Sequence, residues 1–203
     1  MKKSTTIIYQ LTRPFAYLQI KHEDKWLYDW AIPCIFTCLS LAFLFFLSGL
    51  EQVVGDNGLL SSILGFTGNL PGFFIAALAA IATFNRKDID QLVSGKKAEV
   101  KILNSNQFIN IQLTRRRLLC LLFAFLTTES LLINLYGHFG LAVTLNSEPQ
   151  LTTIAIGDQS INMNLGAVAS WGYVTFFMFM LWQMITSTMF GLYYLGDKLH
   201  QIS

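Results

Sequence analysis
Charged side chains punctuate this chain at intervals instead of alternating along it. Three stretches contain no Asp, Glu, Lys or Arg: Trp30 to Leu50, Asn57 to Asn85, and Gln159 to Gly196. A fourth, Leu118 to Ser147, is broken by Glu129 alone. A bilayer core takes about 20 mostly apolar residues per helix, so each stretch holds one span. The pattern predicts an all-α integral membrane protein with four transmembrane helices at 30–50, 59–85, 118–140 and 167–194. Around them lie an arm at the inner interface (1–29), a short outer loop (51–58), a basic cytoplasmic loop (86–117), an outer loop (141–166) and a tail (195–203).

The two larger loops carry a shorter period. Glu99 to Leu103 and Phe108 to Thr114 flank Asn104-Ser105-Asn106, with Ile109, Ile111 and Leu113 on one face and Asn110, Gln112 and Thr114 on the other. That alternation predicts a β-hairpin. Beyond the third span, Thr152 to Ile156 and Gln159 to Asn164 flank Gly157-Asp158, a dipeptide suited to a tight turn. A small hairpin is expected in each loop, too small to form a separate domain. Residues 7–20 are apolar and aromatic but interrupted by Pro14, which predicts a short segment lying in the inner interface. In the second span Pro71 and Gly72 predict a kink. Gly72, Ala76 and Ala80 form a small-residue ridge that would let another helix approach closely, and Ser187 and Gly191 repeat the spacing in the fourth span.

Composition agrees with this reading. Of 203 residues 53% are hydrophobic and 13% charged, against roughly 25% charged in soluble domains, which excludes disorder and disfavours an ordinary soluble enzyme. The 14 basic residues are all in the arm, the 86–117 loop and the tail, whereas the other loops carry Glu51, Asp56, Glu148 and Asp158. Cationic loops stay cytoplasmic, so the topology is N-in/C-in, with the spans as two hairpins in sequence. The location expected is a membrane, with the basic face cytoplasmic. The first apolar run begins too late and is too long for a cleaved signal peptide. A basic inner face suits anionic lipid head groups; direct nucleic-acid binding is not expected.

Glu129 is the most informative residue, because an acidic side chain at membrane depth is costly and points at a partner. It lies roughly 18 Å inward from Arg117, and Gln183 lies roughly 21 Å inward from Asp197, at about 1.5 Å per helical residue. With Asn134 and Ser40 they make a candidate intramembrane polar layer. Glu129 is an ion or proton site, a protonated hydrogen-bond donor that changes state when the bundle rearranges, or a neutral carboxyl bonded to Gln183, or to its counterpart in another subunit, as helix glue. No basic residue lies within a span, so an intramembrane ion pair inside one chain is not expected. Lys96, Lys97, Lys101, Arg115, Arg116 and Arg117 are candidates for partner or lipid binding. Enzyme signatures are missing: there is no Gly-x-Ser-x-Gly, His-Glu-x-x-His or P-loop pattern, and Asp88 and Asp90 are the only near pair of aspartates, beside Arg86 and Lys87. Cys34, Cys38 and Cys120 all fall near cytoplasmic span ends, which argues against disulfide chemistry on the outer face. No catalytic residue, metal ligand or cofactor is assigned.

The layout as a whole resembles the KwaA family, the membrane subunits of the bacterial Kiwa anti-phage defence system. The features that carry the resemblance are the uncleaved basic arm, four spans, a modest outer loop, and a basic cytoplasmic loop ending in Leu113-Thr-Arg-Arg-Arg-Leu-Leu-Cys120. The resemblance implies a homo-oligomer, a tetramer, that senses phage attachment or injection and holds a KwaB-like DNA-binding effector at its cytoplasmic face. The rival expectation is a small oligomeric ion channel or transporter subunit that uses Glu129.

Overall fold
The computed structural model describes residues 3–20, 25–47, 53, 58–83, 87–93, 98–104, 107–145, 151–156 and 159–198. Among them, four helices are long and apolar enough to cross a membrane: span one (Leu27–Phe46), span two (Leu59–Thr83), span three (Arg115–Val143) and span four (Gly166–Gly196). The chain is a multi-pass membrane protein.

Span one packs along span four, span four along span three, and span three along span two. The row is therefore one, four, three, two. Spans three and four, consecutive in the chain, pack on each other. Spans one and two instead meet at one end, where Leu44, Ile63, Val174 and Met178 cluster. Span three is the centre of the molecule. From Leu118 to Leu126 it is buried on almost every side, while from Leu131 onward Leu131, Leu132, Leu135 and Phe139 are exposed. Its helix runs Arg115–Leu145, 31 residues, or about 46 Å at 1.5 Å per residue, against a hydrocarbon core of about 30 Å.

The buried half of span three is wrapped by the arm and the basic loop. The arm divides at Pro14, which ends the exposed helix Lys3–Thr12 and sits in the first turn of a 3-10 segment, Arg13–Gln19. That segment does not lie apart in the interface; Ala16 and Tyr17 are buried against span three. In the basic loop β1 (Glu99–Asn104) and β2 (Gln107–Gln112) pair antiparallel, and Ala98, Val100 and Leu113 enter the core. At the opposite end β3 (Leu151–Ile156) and β4 (Gln159–Asn164) form the second hairpin.

Both prolines inside spans leave a mark, by the same mechanism. A proline lacks the N–H that would bond to the carbonyl four residues earlier. Pro71 stands in the first turn of Leu70–Thr83, so span two breaks at Gly68-Asn69, just before it, instead of kinking at Pro71-Gly72. The carbonyl left without its donor is that of Thr67, and the Asn134 amide of span three donates to it at 3.1 Å. Pro33 does the same to the Asp29 carbonyl. Span one opens with a π-helical turn, Leu27–Ala31, in which the Ile32 N–H reaches back to Leu27. The Gln183 amide of span four then donates to the Asp29 carbonyl at 3.1 Å, and the Thr186 hydroxyl to the Tyr28 carbonyl at 3.1 Å.

The two small-residue patterns part company. Gly191 lies on span three, where an added Cβ would stand 2.9 Å from Leu122, but Gly72 has nothing within 4 Å. Gly72, Ala76 and Ala80 face outward.

Candidate functional site
A buried polar cluster joins the arm to spans one, three and four. Tyr17 stands in its middle. The 3-10 segment presents the ring to Phe125 of span three, stacked at 5.3 Å between centroids. The hydroxyl donates to Asp29 Oδ1 at 3.3 Å and lies beside Ser187 of span four and within electrostatic reach of Glu129 of span three. Lys25 closes the cluster from the basic side. Its ammonium pairs with Asp29 Oδ2 and stands 4.0 Å over the Tyr17 ring. An ion pair therefore does form at the mouth of the bundle: Lys25, from just outside span one, folds inward and Asp29 sits 2% exposed. Burial pushes the Tyr17 phenol up, and the Asp29 carboxylate adds to the rise. Burial also pulls the Lys25 ammonium down, partly offset by Asp29.

Glu129 is 3% exposed, and neither carboxyl oxygen has a hydrogen-bond partner among the described residues. The expected bond to Gln183 does not form within the chain, because that amide is committed to the Asp29 carbonyl. Of the expected polar layer, Asn134 ties span three to span two by donating to the Thr67 carbonyl and accepting from the Thr67 hydroxyl, and it also donates to the Ser130 carbonyl of its own helix. Ser40 accepts from the Trp182 indole at 2.9 Å. These are separate ties between neighbouring helices, with Glu129 outside them.

The basic candidates divide in the same way. Lys96 and Lys97 lie outside the described residues. Lys101 is exposed on β1, and its carbonyl accepts from Arg13 at 3.0 Å. Arg115 is buried, 3% exposed. Arg116 is engaged at the end of span two: it donates to the Ile81 and Ala82 carbonyls at 3.2 Å and grips Asp90 at 2.7 and 3.1 Å. A cation on the last carbonyls of a helix complements its dipole, and the pairing holds the Asp90 carboxyl below the usual range. The Arg117 N–H is capped by the Thr114 hydroxyl at 3.3 Å.

Three members of the cluster, Tyr17, Lys25 and Asp29, are missed by a search for polar residues at membrane depth, because they belong to a charged arm where such residues are ordinary. The signal was the spacing Lys25, Asp29, Pro33: an ion pair one helical turn apart, followed by the proline that frees the Asp29 carbonyl.

The arm links this cluster to the basic-loop hairpin. The Leu103 N–H donates to the Tyr9 hydroxyl at 3.2 Å, and Arg13 stacks over Tyr9 while bonding Lys101. A cleft of about 360 Å³ lies between arm and hairpin, lined by Tyr9, Arg13, Lys101 and Phe108 among others. No protein-family model matches the chain, and neither a curated protein nor a solved structure is significantly similar to it.

Proposed function
We propose that the protein is a non-enzymatic relay of the bacterial inner membrane, with both termini cytoplasmic, in which the bundle is read out by the arm and the β1–β2 hairpin. One observation carries this reading: Tyr17 of the buried cluster shares the segment Arg13–Gln19 with Arg13, and Arg13 and Tyr9 in turn bond Lys101 and Leu103 of the hairpin. A change in the packing of spans one, three and four therefore has a route through the arm to the basic face. The resemblance to the KwaA family gives the proposal its biological form: a homo-oligomeric sensor of phage attack whose cytoplasmic face recruits a soluble DNA-binding effector. The cleft between arm and hairpin, with its mixed aromatic and cationic lining, is the surface offered to that partner. Anionic lipids would hold the rest of the basic face.

The test is charge reversal in the basic loop. Lys96→Glu, Lys97→Glu and Lys101→Glu together are expected to abolish copurification of a cytoplasmic DNA-binding protein from the native host while leaving the oligomer intact. Unchanged copurification would remove the hairpin from the interface. A second reading, a channel or transporter subunit, is favoured by the unpartnered Glu129; it requires that Glu129→Gln abolish ion flux in reconstituted vesicles.

A further inference from the structure
Among the described residues, charge does not balance in the buried cluster. Two carboxyl groups, Asp29 and Glu129, are withdrawn from water beside one described ammonium, Lys25, which is committed to Asp29 and the Tyr17 ring. Another carboxylate, Asp29, lies within electrostatic reach of Glu129. A buried charge persists only when paired or neutralised.

Among the described residues, the arm brings the Tyr17 hydroxyl and span one brings Asp29 within electrostatic reach of Glu129, and the Tyr17 hydroxyl lies beside Ser187 of span four. Span two carries no titratable side chain along its length. The Gln183 amide donates to the Asp29 carbonyl, and neither Glu129 oxygen has a hydrogen-bond partner among the described residues. Ser187 is 1% exposed, and its hydroxyl is a second buried polar atom with no hydrogen-bond partner among the described residues. Both Glu129 oxygens, the Ser187 hydroxyl and the Tyr17 hydroxyl are hard oxygen donors, with no sulfur or imidazole among them.

We infer that this cluster binds one small monovalent cation, a proton or a sodium ion, among Glu129, Ser187 and Tyr17, and that the bound cation clamps the arm onto the bundle. Hard oxygen donors around one uncompensated negative charge suit either ion. A proton would reside on Glu129 and be donated to a neighbouring hydroxyl; sodium would be held by the carboxylate and both hydroxyls. Either ion ties span three and span four to Tyr17 and so fixes the arm. Without it, Glu129 and Asp29 repel across the phenol and the arm loosens. The effect on readout rests on the relay proposed above; the binding does not.

The full-length protein in mild detergent is melted in sodium chloride and in choline chloride across a series of pH values, and infrared spectra are recorded for the carbonyl stretch of a protonated carboxyl. If the ligand is sodium, sodium raises the melting temperature over choline, more so at alkaline pH, and Glu129→Gln abolishes the difference. If it is a proton, a protonated-carboxyl band is present at neutral pH, is lost at alkaline pH and is absent in Glu129→Gln. Ser187→Ala, which leaves the carboxyl in place, should weaken sodium half-saturation by roughly tenfold through the lost oxygen ligand, or lower the pH midpoint of the band by about one pH unit through the lost acceptor for the neutral carboxyl's proton. A melt insensitive to sodium together with no band sensitive to Glu129→Gln would overturn the site. Hydrogen exchange at residues 13–19 tests the clamp: exchange should slow when the cation is bound, and equal rates with and without it would overturn the clamp. Binding and clamping that persist while partner copurification ignores the cation would sink the relay and leave the site standing.

Discussion
Tyr17 is held in a place where its phenol must remain neutral. Its pKa in the folded protein lies above the usual value of about 10, chiefly through burial. The unfolded chain therefore loses this proton first as pH rises, so the stability Tyr17 contributes is intact below about pH 10 and is lost above it. The melting temperature of the wild type should fall more steeply above that pH than that of Tyr17→Phe; parallel curves would contradict the burial of the hydroxyl. Lys25 runs the other way. Its folded pKa is lowered, so stability rises with pH up to the ordinary lysine value, and Lys25→Met should remove that rise. At this scale the sequence was legible where chemistry is out of place. Glu129, Gln183, Asn134 and Ser40 stand out because polar groups in apolar runs are rare. Tyr17, Lys25 and Asp29 do not, since an arm with several charges gives none of them distinction until the fold brings the arm inward.

Within each element, proline and carboxamide act as a pair. Pro33 and Pro71 each strip the donor from a carbonyl four residues back, and an amide from the adjacent span restores it. Gln183→Leu should therefore cost about 1–3 kcal/mol, the penalty of a buried carbonyl left without a donor. In a Pro33→Ala background the chain supplies its own N–H, and most of that cost should vanish; Pro71→Ala should rescue Asn134→Leu likewise. Additive costs in thermal melts of both double-mutant cycles would refute the pairing. Pro71 was visible as a helix irregularity, but its partner was not, because the register between two helices is set by side-chain packing across them and leaves no periodic trace in either. Glycines show the same limit. Spacing predicted a ridge at Gly72, yet the close approach occurs at Gly137, where an added Cβ would collide with Leu64. Gly137→Ala should destabilise by about 1–3 kcal/mol through overpacking, whereas Gly72→Ala should be near neutral; equal melting temperatures for the two variants would contradict this geometry.

For the whole molecule, the four apolar helices and both hairpins were readable because each rests on a local period, long apolar runs or strict alternation. The order one, four, three, two was not, since helices of similar apolar composition offer no label for their neighbours. Orientation rests on the segregation of charge. With the natural cysteines removed, Ser203→Cys should react with a membrane-impermeant maleimide only after cells are opened; labelling of intact cells would invert the topology. Span three gives the molecule a further property. Its helix outruns the hydrocarbon core, its lipid-facing half begins near Leu131, and the arm covers the turns before that. A bilayer that thickens must cover more of this helix to relieve hydrophobic mismatch, and the next stretch toward the basic end is the one against which Arg13–Gln19 lies. In a thicker bilayer, lipid and arm would then meet at the same turns.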